Sequence, residues 1–281
     1  MNYRHIYHAG NFADVLKHAA LCWIISYLQR KPAPLRVLET HAGAGRYDLS
    51  SPKAARTGEW LEGVARLAEP LEAGAEAFLE PYRATLAACG WTGEGGGRNY
   101  PGSPLLARRM LRPDDRYVGA ELHGETCTAL RASLGRDERC KALFLDGWVA
   151  LRANTPPRER RGVTLIDPAF EEADEWTVAA RELAAAWRKW PTGCFMLWYP
   201  LKNPRLADDL VEDLREGGVT GLLRVELMVD DLAAADRLAG CGLLIVNAPW
   251  TFASAVEAAL PALAARLARG GAAGYRCDLV C

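Results

Sequence analysis

The sequence predicts an α/β protein: a doubly wound, mainly parallel, seven-stranded sheet of Rossmann-like type, with a small helical insertion after the first strand. Three observations predict it. Seven apolar runs, Leu35 to Glu39, Tyr117 to Glu121, Ala142 to Asp146, Val163 to Asp167, Cys194 to Tyr199, Leu222 to Val229 and Leu243 to Asn247, mostly alternate with helical stretches, as parallel strands joined by crossover helices do. The first run leads into His41 to Gly45, a strand-to-helix turn whose glycines let a ligand come close to the backbone. Glu121, the acid closing the second run, stands 76 residues beyond Gly45. A simple nucleotide-binding unit places that acid about 20 residues on, so a segment is inserted between.

The elements follow in order. From Asn11 to Gln29 the apolar residues recur at helical spacing and stop before Lys31 and Pro32, which gives an amphipathic helix ahead of the sheet. Residues 1–34 are expected to form an amino-terminal segment and helix that cover the ligand. Residues 47–101 form the insertion, with helices around Glu59 to Ala68 and Leu71 to Cys89, followed by the glycine-rich run Gly93 to Gly97. That run lacks a preceding strand and a following helix, so it reads as a flexible link rather than a phosphate loop. The insertion is acidic, five lysines and arginines against eight carboxylates, most of them on solvated helix faces. Residues 1–46 and 102–281 make up the main domain.

Composition excludes several classes. The 281 residues, half of them hydrophobic, suffice for one substantial core. Apolar stretches are broken by charge or proline within about 18 residues, and the amino terminus lacks a basic-then-apolar leader, so the chain reads as cytosolic. Eight cysteines lie scattered without a C-x-x-C pair and read as reduced, packed thiols. A net charge of −1 argues against non-specific coating of nucleic acid, so any RNA contact must be a local patch. His5 with His8 and Cys277 with Cys281 stand at opposite chain ends, whereas a structural zinc site wants paired clusters; no metal is expected.

The chemistry concentrates at strand ends. Glu39, Glu121 and Asp146 with Gly147 close three successive strands, and open parallel sheets bind ligands outside those carboxyl ends. Glu121 is placed to accept ribose hydroxyls and Asp146 an adenine amino group. The turn at His41, Gly43 and Gly45 lacks the third glycine of a dinucleotide fingerprint, which favours a nucleoside without pyrophosphate, such as S-adenosylmethionine. After the fourth strand, Asp167, Pro168, Ala169 and Phe170 bring a carboxylate, a rigid backbone and an aromatic face to one point. A carboxylate and a proline carbonyl can accept the two hydrogens of an exocyclic amine while a ring stacks on the base. The same tetrapeptide can also be an ordinary strand exit, with Asp-Pro opening a turn and Phe170 returning to the core. Together with the nucleoside site, it points to methylation of a base amino group.

On these residues the chain resembles the bacterial large-subunit ribosomal RNA adenine-N6 methyltransferases, the RlmJ family. The resemblance runs nearly full length through Tyr3 to Asn11, Asp14 to His18, Thr40 to Arg46, Tyr100 to Pro104, Glu121 to His123, Asp146 with Gly147, Ile166 to Pro168 and Leu197 to Pro200. It implies a class I S-adenosylmethionine-dependent fold and a monomer acting on one adenine N6 of 23S ribosomal RNA before the subunit is fully assembled. It further implies that Lys17, His18 and His41 line the cofactor's methionine side, Ser103 and Glu121 its ribose, Asp146 and Gly147 its adenine, with Asp167 at the target amine. Tyr3, with Arg4, would meet the RNA. Without the resemblance, Lys17 and His18 read as the polar face of a helix.

The chain departs from the family at Ala169, where a second proline is usual; this frees the backbone around Pro168, whose carbonyl is one of the two expected acceptors. A rival set, Asn247, Ala248, Pro249 and Trp250, follows a late strand, where Asn247 can cap and Pro249 can start the helix Thr251 to Leu267. Arg152, Arg158, Arg160 and Arg161 lead into the strand bearing Asp167 and so belong at the opposite end from the cleft. Arg4, Arg46, Arg56, Arg98, Lys202 and Arg205, with Tyr3 and Trp198, are better placed for RNA. DNA adenine as substrate, a non-catalytic RNA-binding relative and, more distantly, a nicotinamide enzyme remain alternatives.

Overall fold

The computed structural model describes residues 5–92, 99–172, 174–233 and 237–280. Ten strands and nine α-helices run among them in the order α1 (Phe12–Leu28), β1 (Arg36–Glu39), β2 (Arg46–Asp48), α2 (Pro52–Thr57), α3 (Ala73–Ala88), β3 (Asn99–Pro101), α4 (Ser103–Met110), β4 (Arg116–Glu121), α5 (Gly124–Leu134), β5 (Cys140–Phe144), α6 (Gly147–Asn154), β6 (Gly162–Ile166), α7 (Glu175–Lys189), β7 (Cys194–Pro200), α8 (Pro204–Glu216), β8 (Leu222–Met228), β9 (Gly240–Val246), α9 (Phe252–Leu267) and β10 (Gly274–Leu279).

The main sheet has the order β10-β8-β9-β7-β6-β1-β4-β5. From β5 to β7 it is parallel; β9 then runs antiparallel to both β7 and β8. The seven expected strands are all present, and β10 adds an eighth, antiparallel to β8. Its sequence hides it: Gly274–Leu279 carries Arg276 and Asp278 and exposes Tyr275 and Leu279, the charged and half-wet pattern of an edge. Because alternate side chains point to opposite faces, Val37, Val163, Met196 and Leu243 pack with α1, α3, α4, α5 and α9. Leu38, Ile166, Leu197 and Leu244 pack with α6, α7 and α8 on the other face. At β1 the chain turns first to β4 on one side and later to β6 on the other, so the ligand crevice of an open sheet falls at the carboxyl end of β1.

Two expectations about the amino-terminal third are corrected. The polar stripe of α1 is turned inward: Asp14, Lys17 and His18 are no more than 4% exposed, and the helix is buried on nearly all sides. Residues Glu59 to Ala68 form two short 3-10 turns, Glu59–Glu62 and Val64–Leu67, broken at Gly63. A side chain there would meet the Gly10 carbonyl at 2.1 Å, so glycine is the residue that lets this segment lie against the start of α1. The insertion is also bounded by a small hairpin, β2 with β3, that pairs Arg46 with Pro101. Its expected glycine link, Gly93 to Gly97, lies outside the described residues.

Asn247 is not a helix cap. Its amide donates to the carbonyls of Pro191 and Gly193, both at 2.8 Å, and Thr251 takes the cap position of α9. Since β9 runs antiparallel to β7, its carboxyl end lies where β7 begins, away from the crevice, and the rival tetrapeptide is removed from the chemistry. Arg161 is likewise tied to the carbonyls of Leu28 and Ala33, and Arg152 to Glu182, consistent with structural roles. The seven described cysteines are free thiols. No described helix is long and apolar enough to cross a membrane.

Candidate active site

The glycine turn after β1 owes its shape to two left-handed residues packed closely against the protein's own side chains. Gly43 and Gly45 sit at φ +66° and +76°, a region that side chains disfavour, and a Cβ on Gly45 would press on Ser133 of α5 at 3.1 Å. Glu121, at the end of β4, braces the turn: its Oε2 accepts the Gly43 amide at 3.0 Å and its Oε1 the His123 amide at 2.8 Å. Beyond β5, Asp146 caps α6 by accepting the Val149 amide at 2.9 Å. Gly147 follows; a Cβ there would lie 2.4 Å from the Thr40 carbonyl and 2.9 Å from the His41 ring, so only glycine lets β1 and α6 approach this closely. His41 meets Trp148 edge-on at 5.2 Å, and burial keeps its imidazole neutral, with a pKa of about 4.

Ser103 opens α4 and donates to Glu39 Oε2 at 2.7 Å. Glu39 is fully buried at the end of β1, and burial raises its pKa to about 8. The buried Tyr117 hydroxyl of β4 faces the same carboxyl.

The centre of the site is an ion network between α1 and β6. Lys17 Nζ lies 2.7 Å from Asp167 Oδ2 and 3.0 Å from Asp14 Oδ1. Asp14 also accepts from the Gly10 amide at 2.9 Å and faces His5 Nε2 at 3.0 Å. Burial would raise the Asp14 pKa, but His5, Lys17 and His18 together hold it well below the ordinary carboxylate range. His18 stands one layer behind: it is 1% exposed, with Nδ1 bonded to Tyr100 at 2.8 Å, and Tyr100 in turn meets Tyr82 of the insertion at 2.8 Å. Burial depresses its pKa to about 3.

Asp167 opens into a cleft of about 590 Å³ whose walls include Lys17, Ala169, Phe170, Trp198 and Lys202. Phe170 adopts φ +52°, uncommon for a bulky residue, and packs 4.5 Å from Trp176 and 6.3 Å from Trp198. That aromatic packing holds the exit from β6 where a second proline is absent. Pro168 is buried and Ala169 half-buried at the cleft wall.

The structure therefore gathers Lys17 and Asp167 in one cleft, places Gly43, Gly45 and Glu121 in one turn, and sets His41 and Gly147 against each other. Ser103 reaches the site through Glu39, and His18 through Asp14. Tyr3 and Arg4 lie outside the described residues, as does Arg98. Of the other RNA candidates, Lys202 and Trp198 line the cleft, Arg46 lines a separate cavity, and Arg56 and Arg205 are exposed on α2 and α8. Sequence reasoning missed Asp14 as the hub, although the spacing Asp14, Lys17, His18 puts three polar groups on one helix face. It also missed Leu122 and Phe144, apolar side chains 51% and 59% exposed, where β4 and β5 end beside Glu121. Exposed apolar groups flanking a carboxylate suit the flat face of a base with a ribose beside it.

The chain is similar over nearly its whole length to known proteins. The family model described as "Ribosomal RNA large subunit methyltransferase D, RlmJ" matches residues 32–280. A protein of Escherichia coli (strain K12) named "Ribosomal RNA large subunit methyltransferase J" is 38% identical over 273 residues, covering 96% of this chain and 95% of that one. A Haemophilus influenzae protein of the same name is 31% identical, covering 100% and 99%. A solved Legionella pneumophila protein superposes with a TM-score of 0.86 at 31% identity, covering 97% of this chain and 98% of that one. A probable spermidine synthase from Corynebacterium glutamicum, 14% identical with a TM-score of 0.52 and covering 95% and 75%, shares the fold.

Proposed function

This chain belongs to the family of ribosomal RNA large subunit methyltransferase D, RlmJ, and from that membership and the cleft at Asp167 we propose that it methylates N6 of one adenine in 23S ribosomal RNA. S-adenosylmethionine is the donor in this proposal and supplies a methyl group bound to a positively charged sulfur. The residues fit such a molecule: Gly43 and Gly45 give the turn beside it a left-handed shape, and Glu121 is placed for its ribose. Asp146, Gly147, Leu122 and Phe144 surround the place for its adenine. Ser103, tied to Glu39 at the end of β1, borders its ribose side. Lys17 and His41 face its methionine side, with His18 holding Asp14 behind them.

The target adenine must leave its stack, because its amino group is out of reach inside a helix. In this reading Phe170 and Trp198 receive the base. Asp167 accepts one amino hydrogen through Oδ1 while Lys17 anchors Oδ2, and the Pro168 carbonyl accepts the other. These acceptors direct the nitrogen lone pair and provide a place for the proton that is lost. The observation that carries the proposal is the Asp167 carboxylate at the end of β6, gripped by Lys17 at 2.7 Å and open to an aromatic-walled cleft. The RNA is taken before full subunit assembly, by a monomer.

Tritium transfer from labelled S-adenosylmethionine to 23S ribosomal RNA fragments and to DNA fragments of the same sequence tests it. Label in RNA alone is expected, lost in Asp167→Ala. Label in DNA alone, or full transfer by Asp167→Ala, would sink the assignment.

A further inference from the structure

A second cavity, of about 410 Å³, lies between the β2–β3 hairpin, the carboxyl end of α3 and the helix α4. Four arginines line it, Arg46, Arg108, Arg109 and Arg139, together with Asn99, and no carboxylate does. Asp137 stands close by: it takes Arg108 Nε at 3.0 Å and Arg139 at 2.9 and 2.7 Å, while the Leu111 carbonyl takes the remaining Arg139 nitrogen. The guanidinium groups of Arg46 and Arg109 make no hydrogen bond or ion pair among the described residues, and both side chains are exposed.

We propose that this cavity binds phosphodiester groups of the RNA that carries the target adenine; this rests on the ribosomal RNA reading above. Four like charges around one hollow repel one another, Asp137 offsets only part of that repulsion, and the chain as a whole, at net −1, carries no general excess of positive charge to explain the cluster. The α4 dipole accounts for Arg108 and Arg109 in its last turn, but Arg46 comes from the hairpin and Arg139 from the approach to β5. Guanidinium forks match phosphate oxygens two at a time, and the Asn99 amide adds a neutral donor.

The cavity runs from the ligand turn, at Arg46, toward the amino ends of β4 and β5, which Arg109 and Arg139 approach. Arg46 directly follows Gly45 of the ligand turn, and the Gly45 carbonyl accepts the Gly102 amide at 2.9 Å, one residue before Ser103. One hairpin thus forms a wall of the arginine cavity and supports the glycine turn. The cleft at Asp167, in contrast, is lined by four carboxylates, Asp14, Asp167, Glu171 and Glu172, and two lysines, so it cannot supply backbone affinity. The phosphate-binding charge has to lie elsewhere on the molecule, and these arginines supply it.

The test uses full-length R46Q/R109Q, which removes the two arginines that hold no other part of the chain. Binding of a 23S ribosomal RNA transcript is measured across a salt series, with S-adenosylmethionine affinity by calorimetry and turnover at saturating RNA alongside. The expected result is about tenfold weaker RNA binding and a salt slope smaller by about one per arginine, with cofactor affinity and saturated turnover unchanged. R158Q/K189Q, the same loss of charge where the chain approaches the interior strands β6 and β7, is expected to leave both binding measures unchanged.

Equal RNA affinity and slope in R46Q/R109Q would overturn the proposal, as would an equal loss in R158Q/K189Q. So would loss of inorganic phosphate binding in R46Q/R109Q with RNA affinity intact, since the cavity would then serve a small anion. A wild-type protein that binds the transcript through these arginines yet transfers no methyl to it would leave this inference standing and overturn the methyltransferase reading. A wild-type protein that neither binds nor methylates the transcript would overturn both.

Discussion

The cleft at Asp167 and the arginine cavity beside the β2–β3 hairpin are similar in scale and opposite in charge. One presents acceptors, four carboxylates with two lysines; the other presents donors, four guanidiniums with no carboxylate in the wall. An exocyclic amine offers hydrogens and needs acceptors close by, whereas a phosphate offers only oxygens and needs donors. Asp167 next to a phosphate would repel it, and an arginine beside the target nitrogen would compete for its lone pair. On the proposed reading, base chemistry and backbone affinity belong to separate hollows.

Breaking the acceptor cleft has the largest expected effect. Asp167→Ala is expected to lower turnover about 10³-fold through loss of the amine acceptor, with transcript affinity nearly unchanged; single-turnover kinetics with a parallel binding curve measure both. A matching fall in affinity would show that the two hollows do not divide the work. Next, Phe170→Ala removes a stacking face, which is expected to raise KM for the transcript about tenfold. Its salt slope should stay at the wild-type value, because no phosphate contact is lost.

Smaller changes sharpen the donor side. Asp137→Asn frees Arg108 and Arg139 from their carboxylate, whose pKa their hydrogen bonds hold well below the usual range. Transcript affinity is expected to rise about threefold with a steeper salt slope, at a cost of about 1 kcal/mol in stability because both arginines are partly solvated. Urea unfolding and a salt-series binding curve follow the two effects.

The smallest expected effect concerns Glu39. Its folded pKa, about 8, lies above its ordinary value of 4.5, so the folded state keeps a proton that the unfolded chain has already released. The associated stability is present below the ordinary pKa and is lost as pH rises through about 8. His18 and His41 shift the other way, to about 3 and about 4, and their contribution is complete above the ordinary histidine value of 6.5. Between pH 6.5 and 8, wild-type stability is therefore expected to fall relative to Glu39→Gln. Parallel melting curves in that window would contradict the assignment.

How much of this was legible in the sequence depended on whether a local rule or a tertiary contact set each feature. Glycines after β1 and Asp167 after β6 were readable because strand ends follow from apolar runs and the crevice from topology. Asp146 was read as the end of β5, but the strand stops at Phe144 and Asp146 caps α6, since an acid before a helix satisfies free amides. Periodicity marks Lys17 and His18 as a polar face of α1; it could not say that the face turns inward, because that depends on Asp167, which is 150 residues from Lys17. The edge strand β10 carries too much charge to be read as a strand. The arginine cavity had no sequence signature, since its members run from Arg46 to Arg139 and meet only once Arg46 pairs with Pro101.

The most direct test of the account is mass mapping of N6-methyladenine along a 23S ribosomal RNA transcript incubated with S-adenosylmethionine and the wild-type protein, with Asp167→Ala as the control. One methylated adenine present with wild type and missing with the variant is the predicted result. The same methylated adenine in both samples, or none with an active-folded wild-type protein that binds the transcript, would contradict it.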